Sequence, residues 1–154
     1  MAATEPLRLR GEEQEVAQAE ALAVLAVAGD EAYRDELARL LAALDESELG
    51  PDEAATLERV VELGLQTGRI RALYGPRGEQ AALRLYRRLP RGAELGESAA
   101  AVTNALESLS GRTLESIRID AVGPGAFTLT VVVDGVELSI RLDRQGARVG
   151  ALGT

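Results

Sequence analysis

The chain has 154 residues, of which 46% are hydrophobic and 27% are charged, and its net charge is −8. This length is typical of one domain or two small ones, and the apolar fraction is that of a globular protein rather than a disordered one. The sequence contains no His, Cys or Trp, and all 17 basic residues are Arg. These absences exclude His-dependent catalytic triads, thiolate chemistry, disulfides, Schiff-base lysines and zinc sites built from His and Cys.

The first two predicted helices are marked by composition and by a cap. Residues 12–28 are rich in helix-forming residues, with acidic side chains at the start, where the helix dipole favours them. Residues 21–28 are apolar on all sides, so we expect other helices or a second subunit to enclose them. Asp30 is a favourable N-cap for a helix over 31–44. The expected core stripe of this helix is Tyr33, Leu37, Leu40, Leu41 and Leu44.

A third helix is predicted from Pro51 to about Tyr74, because Pro in the first turn followed by acidic residues is a typical helix start. Gly64 and Gly68 lie four residues apart within it. This spacing leaves two interpretations open, a close helix–helix crossing or a break near Gly68. The core candidates of this helix are Leu57, Val60, Val61, Leu65, Ile70 and Leu73.

Two Pro-Arg-Gly turns, at 76–78 and 90–92, bracket a short fourth helix predicted over 79–89. A fifth helix is predicted over 97–109. Its inward-facing residues are expected to be Ala101, Val102, Ala105, Leu106 and Leu109. The intervening segment 91–96 is expected to separate a helical region, 1–91, from a second region, 92–154.

After Gly111 the hydrophobic period changes from about 3.6 to 2, which predicts β-strands. Alternating apolar and polar residues predict three strands, and a short fourth strand over 147–152 completes an antiparallel β-meander. Asp134 and Gly135 predict a two-residue hairpin, in which both residues adopt positive φ. One face of the sheet is apolar, and the fifth helix is the nearest element that could cover it. The predicted fold class is therefore α+β, a helical half of about four helices followed by a helix and a four-stranded meander, packed as one body.

Charge is unevenly distributed along the chain. Residues 1–68 hold five Arg and 16 acids, a balance of −11, whereas residues 69–91 hold seven Arg and one acid, a balance of +6. Arg makes bidentate contacts with carboxylates and phosphates. The candidate partner- or anion-binding residues are accordingly Arg77, Arg84, Arg87, Arg88, Arg91, Tyr74 and Tyr86.

Helical spacing of 7, 4 and 3 places four of these arginines near one face, at positions 77, 84, 88 and 91. Three interpretations remain open: intrachain pairing with the acidic helices, which we favour, a surface for a protein partner, or a site for a small anion or nucleic acid. Tyr74 and Tyr86 are expected at the edge of the core, with interface anchoring as the alternative.

The remaining observations constrain the function. No apolar run reaches the roughly 20 residues of a membrane span, and the acids before residues 21–28 are not typical of a signal peptide, so we expect a cytoplasmic protein. Net acidity and 3% aromatic content disfavour nucleic-acid binding. The carboxylate pairs are local and solvated, so we expect no catalytic residues, no metal site and no cofactor.

We therefore predict a non-enzymatic protein-interaction or scaffold domain, which binds a protein partner or itself as a homo-oligomer. The alternative is a small-molecule binding domain with an apolar pocket between the sheet and its covering helix. A third interpretation is a carboxylate-dependent enzyme.

Overall fold

The computed structural model describes residues 5–154, which form five helices and six strands. In chain order the elements are β1 (Leu7–Arg8), α1 (Gly11–Val27), α2 (Glu31–Asp45), β2 (Glu48–Leu49), α3 (Pro51–Gln66), α4 (Arg69–Arg88), α5 (Pro90–Glu107), β3 (Leu114–Gly123), β4 (Ala126–Val133), β5 (Val136–Asp143) and β6 (Gly146–Gly153). The predicted α+β class, with helices first and a four-stranded antiparallel sheet after them, is confirmed.

The chain divides into two compact units, a helical unit up to Ala93 and a sheet unit from Glu94 to Thr154. This division falls within the segment 91–96 that was predicted to separate the two regions, although the segment is helical and part of α5. Packing of the two regions as one body stays a prediction. No helix within residues 5–154 combines the length and the apolar character that a membrane span requires.

At the start of the helical unit, β1 pairs with β2 in a two-stranded antiparallel sheet. The Asp30 carboxylate accepts a hydrogen bond from the Tyr33 backbone N–H at 2.8 Å, so the predicted cap of α2 is confirmed. On the α2 stripe, Leu37, Leu40 and Leu44 are fully buried, and Tyr33 and Leu41 pack partly buried against the same core.

The apolar second half of α1 is enclosed on one side only. Ala21 and Val24 are buried in the core of the helical unit, whereas Leu22 and Val27 are exposed. The expectation that other helices surround residues 21–28 is therefore wrong for these two side chains. Their coverage by a second subunit stays a prediction.

Both interpretations of the paired glycines in the third helix describe part of the structure. Gly68 adopts a left-handed φ of 71°, so α3 ends at Gln66 and α4 begins at Arg69. The predicted continuous helix to Tyr74 is wrong. At Gly64, an added Cβ would lie 2.7 Å from both Glu20 Oε2 and Ile70 Cδ1, so that position is a close crossing of α1 and α3. Because the helix restarts after Gly68, Leu73 is exposed rather than part of the core.

The two Pro-Arg-Gly segments both begin helical segments. Gly75 has a φ of 70° and kinks α4, and the helix resumes at Pro76 rather than at residue 79. Pro90 begins α5, seven residues before the predicted start. The Glu58 carboxylate on α3 accepts hydrogen bonds from the backbone N–H groups of Arg91 and Gly92, at 2.5 and 3.2 Å. It thereby satisfies donors at the start of α5 that a helix leaves unpaired.

The sheet has the order β3-β4-β5-β6, so β3 and β6 are its edges. The predicted hairpin at Asp134 and Gly135 is confirmed, with φ values of 46° and 76°. Val102 of α5 and Leu109, two residues beyond its end, are buried in one cluster with four sheet residues, whereas Ala101 and Leu106, predicted to face inward, are exposed. Those four sheet residues are Val131, Val133, Leu138 and Ile140. The β5–β6 pairing contains a register shift between Ser139 and Ile140.

Candidate interaction surface

The basic segment of α4 lies against the acidic start of α1. The Arg77 and Arg84 guanidinium groups contact the two oxygens of the Glu12 carboxylate, at 2.7 and 3.3 Å. Arg88 contacts Glu13 at 2.5 Å and also donates to the Arg8 carbonyl oxygen at 2.6 Å. Three of the predicted site arginines are therefore in ion pairs with acidic residues of α1.

The other predicted residues of this segment do not share that face. Arg91 lies beyond the end of α4, on α5, and contacts Glu62 of α3 at 3.6 Å, so its placement with the other three was wrong. Arg87 is exposed and has no ion pair within residues 5–154. Tyr74 and Tyr86 are partly buried against the core of the helical unit, and burial is the main cause that raises the pKa of both phenols. A role as interface anchors stays a prediction.

A surface cleft of about 430 Å³ adjoins this segment, lined by Tyr74, Arg77, Gly78 and residues of α1. The α1 residues include Glu12 and Glu15, whose negative charge disfavours a second anion beside Arg77. Arg77, the predicted site arginine that lines this cleft, already contacts the Glu12 carboxylate. The geometry therefore favours structural ion pairs over a small-anion site.

A second cleft, of about 360 Å³, collects acidic residues of α2 and α3, namely Glu36, Asp52 and Glu53. Arg39 and Arg59 line the same cleft, and Arg59 contacts Glu36 at 2.6 Å. No group of three or more acidic side chains placed to hold a metal ion is found in the part of the chain that the structure describes.

The sheet carries an apolar surface that was not among the predicted sites. The register pairs Leu114 with Val133 and Ile117 with Val131, so both β3 residues lie on the apolar face that α5 covers at β4. Ile119 continues this row opposite Leu129. Nevertheless Leu114, Ile117 and Ile119 are 56%, 59% and 59% exposed. We call these three side chains the β3 apolar row.

The exposure follows from the widths of the elements. An α-helix with its side chains is about 10 Å wide, whereas neighbouring strands are about 4.8 Å apart. One helix therefore covers about two strands of a four-stranded sheet. The side chains buried beneath α5 belong to β4 and β5, and most of the exposed ones on this face belong to the edge strands, with Phe127 of β4 the exception. The prediction of a single covering helix for a four-stranded sheet could have indicated this from the sequence.

The chain was compared with protein-family models, with curated proteins and with solved structures, and no significant match was found in any of the three comparisons.

Proposed function

We propose that this chain is a non-enzymatic protein-interaction domain that self-associates, with the β3 apolar row as its contact surface. The observation that supports this proposal is the continuous exposure of Leu114, Ile117 and Ile119 on the apolar face of the sheet. Contiguous apolar patches on a protein surface typically mark contact sites, whereas single exposed apolar residues are ordinary.

The exposed residues of α1 do not form a comparable surface. Leu22 and Val27 are five positions apart, which corresponds to about 140° around a helix. They therefore lie on different sides of α1. The β3 residues, in contrast, lie side by side on one strand face.

The two alternative functions receive less support from the geometry. Beneath α5, the space on the apolar face is filled by Leu138 and Ile140, which are almost fully buried, together with Val102. Side chains thus occupy the place where a ligand pocket was expected. The acidic cleft of α2 and α3 is also lined by Arg39 and Arg59, and one of its carboxylates, Glu36, is already in an ion pair with Arg59.

Sedimentation velocity of the full chain, from low to high micromolar concentration, tests this proposal. We expect a reversible oligomer that Ile119→Lys weakens at least tenfold, because burying an unpaired ammonium at a contact is costly. The matched control is Leu152→Lys on β6, an exposed leucine of similar exposure, 56%, on the opposite edge strand. A chain that stays monomeric throughout, with Ile119→Lys indistinguishable from the parent, would overturn the proposed function.

A further inference from the structure

We propose that the β3 apolar row binds a second copy of this chain, through antiparallel pairing of the two β3 strands about a two-fold axis centred on Ile119. This inference rests on the proposed function and adds to it the partner, the strand and the register. The contact is an edge-to-edge extension of the sheet, in which backbone groups of one β3 pair with those of the other.

The outer edge of β3 has the properties of a strand that accepts another strand. In the sheet order β3 neighbours β4 alone, so one of its edges lacks a partner within the described residues. Natural edge strands are usually protected by Pro, by bulges or by charges on the inward face. The pairing of β3 with β4 has register shifts between Leu114 and Ser116 and between Ala121 and Gly123, and it is regular between them. This regular segment, 116–121, contains no Pro, and its apolar face carries only Ile117, Ile119 and Ala121.

The charges on the opposite face of β3 select the register. Arg118 and Asp120 are exposed there and contact each other at 3.1 Å. In an antiparallel pair centred on Ile119, Arg118 of each copy lies directly opposite Asp120 of the other. On the apolar face, Ile119 meets its own copy and Ile117 meets Ala121. In this register the charged face pairs opposite charges and the apolar face pairs apolar side chains. Such directly opposite pairs stabilise two antiparallel strands.

The neighbouring registers are less favourable. A pair centred on Arg118 would place two arginines opposite each other, and a pair centred on Asp120 would do the same with two aspartates. Like charges directly opposite destabilise a strand pair. A face-to-face packing of the two apolar rows would leave the charges on outer faces, where they could not select a register.

The experiment uses two charge-reversal variants of the full chain, Arg118→Asp and Asp120→Arg. Each variant alone would place like charges opposite each other in both cross-strand pairs, and we expect its dimer dissociation constant to rise about tenfold. In an equimolar mixture, the heterodimer has opposite charges in both pairs. We therefore expect the mixture to dimerise with nearly the parent affinity.

Neither variant contains both Arg118 and Asp120, so neither can regain the contact between them within one chain. A gain of dimer affinity in the mixture therefore comes from pairing between two chains. The matched control is Arg141→Asp on the interior strand β5, which breaks the equivalent 3.3 Å contact with Asp143. We expect it to leave dimerisation unchanged. If the parent dimerises and Ile119→Lys weakens the dimer but the mixture gains no affinity, the register is wrong while the proposed function stands.

Hydrogen exchange of the parent chain provides a second measurement that requires no variant. We expect protection of the amides in segment 116–121 to increase with protein concentration. Protection that is the same at all concentrations would overturn the pairing of β3 with a second copy. A parent chain that remains monomeric would overturn both this inference and the proposed function.

Discussion

Ile117 and Val131 are register partners on adjacent strands and lie on the same face of the sheet, yet Val131 is 7% exposed and Ile117 is 59% exposed. Helix α5 packs over Val131. The limit of the surface that α5 covers therefore falls between two residues that lie directly opposite each other on adjacent strands. The buried core beneath α5 and the exposed β3 apolar row are consequently parts of one apolar face.

This relationship predicts that truncation to alanine affects stability at one position and self-association at the other. Val131→Ala should lower the free energy of unfolding by about 2 kcal/mol, because it leaves a cavity in a packed core. Ile117→Ala should lower it by less than about 1 kcal/mol, since most of that side chain is already in water. Ile117→Ala should instead weaken self-association. Urea melts and sedimentation of both variants measure the two effects, and equal losses of stability would contradict the assignment.

Two glycines in helices provide a matched test of the α1–α3 crossing. Gly64→Ala would place its Cβ 2.7 Å from Glu20 Oε2 and Ile70 Cδ1, and we expect it to cost about 1–3 kcal/mol. Gly96→Ala in α5 meets nothing within 4 Å, and we expect it to stabilise the chain by about 0.4–1 kcal/mol. Thermal melts that gave the same sign for both substitutions would show that α1 and α3 do not approach this closely.

The ion pairs between α1 and α4 predict a stability effect for charge reversal. Replacing both Arg84 and Arg88 by Glu would place new carboxylates beside Glu12 and Glu13. Exposed pairs contribute about 0–1 kcal/mol each, so with the added repulsion we expect a loss of about 1–3 kcal/mol that salt partly reverses. The adjacent Arg87→Glu, at an exposed position, should stay within about 0.5 kcal/mol. Denaturant melts at low and high salt are the measurement, and no loss in the double variant would argue for a binding surface instead.

Glu58 predicts a pH dependence of stability. Burial, the largest effect, raises the pKa of the Glu58 carboxyl above 4.5 despite the hydrogen bonds from Arg91 and Gly92, and the Glu62 carboxylate adds to the increase. The folded state therefore holds this proton more tightly than the unfolded state does, and lowering the pH through the folded pKa stabilises the chain. Glu58→Gln keeps an oxygen acceptor and abolishes the titration.

The measurement is the difference in unfolding free energy between the parent and Glu58→Gln at pH 7 and at pH 5. We expect this difference to shift in favour of the parent at the lower pH. Other titrating groups cancel in the comparison. A shift in the opposite direction would mean that the hydrogen bonds outweigh burial and lower the pKa.

Local signals in the sequence predicted most of the elements. The cap at Asp30, the hairpin at Asp134 and the change of period after Gly111 each depend on residues close in the chain, and each is confirmed. The segment at 90–92 was misassigned because Pro at the start of a helix and Pro in a turn look alike in sequence. The carboxylate that caps α5, Glu58, is more than 30 residues away.

The candidate surfaces were harder to predict. The charge balance indicated that the arginines of 69–91 have acidic partners, but only the packing of α1 on α4 pairs Arg77 and Arg84 with the same Glu12. Strand alternation correctly indicated an apolar sheet face. It carried no information on how far α5 extends across that face, because coverage depends on tertiary packing.

The two edges of the sheet are chemically unequal, and this difference limits how far an assembly can grow. β6 carries Gly146, Gly150 and Gly153, whereas segment 116–121 of β3 contains no glycine, and glycines weaken a strand as a template for pairing. If β3 is the single edge strand through which each chain pairs, a dimer leaves no unpaired β3 edge. The product is then a closed, self-limiting pair, and the sheet does not propagate into a filament.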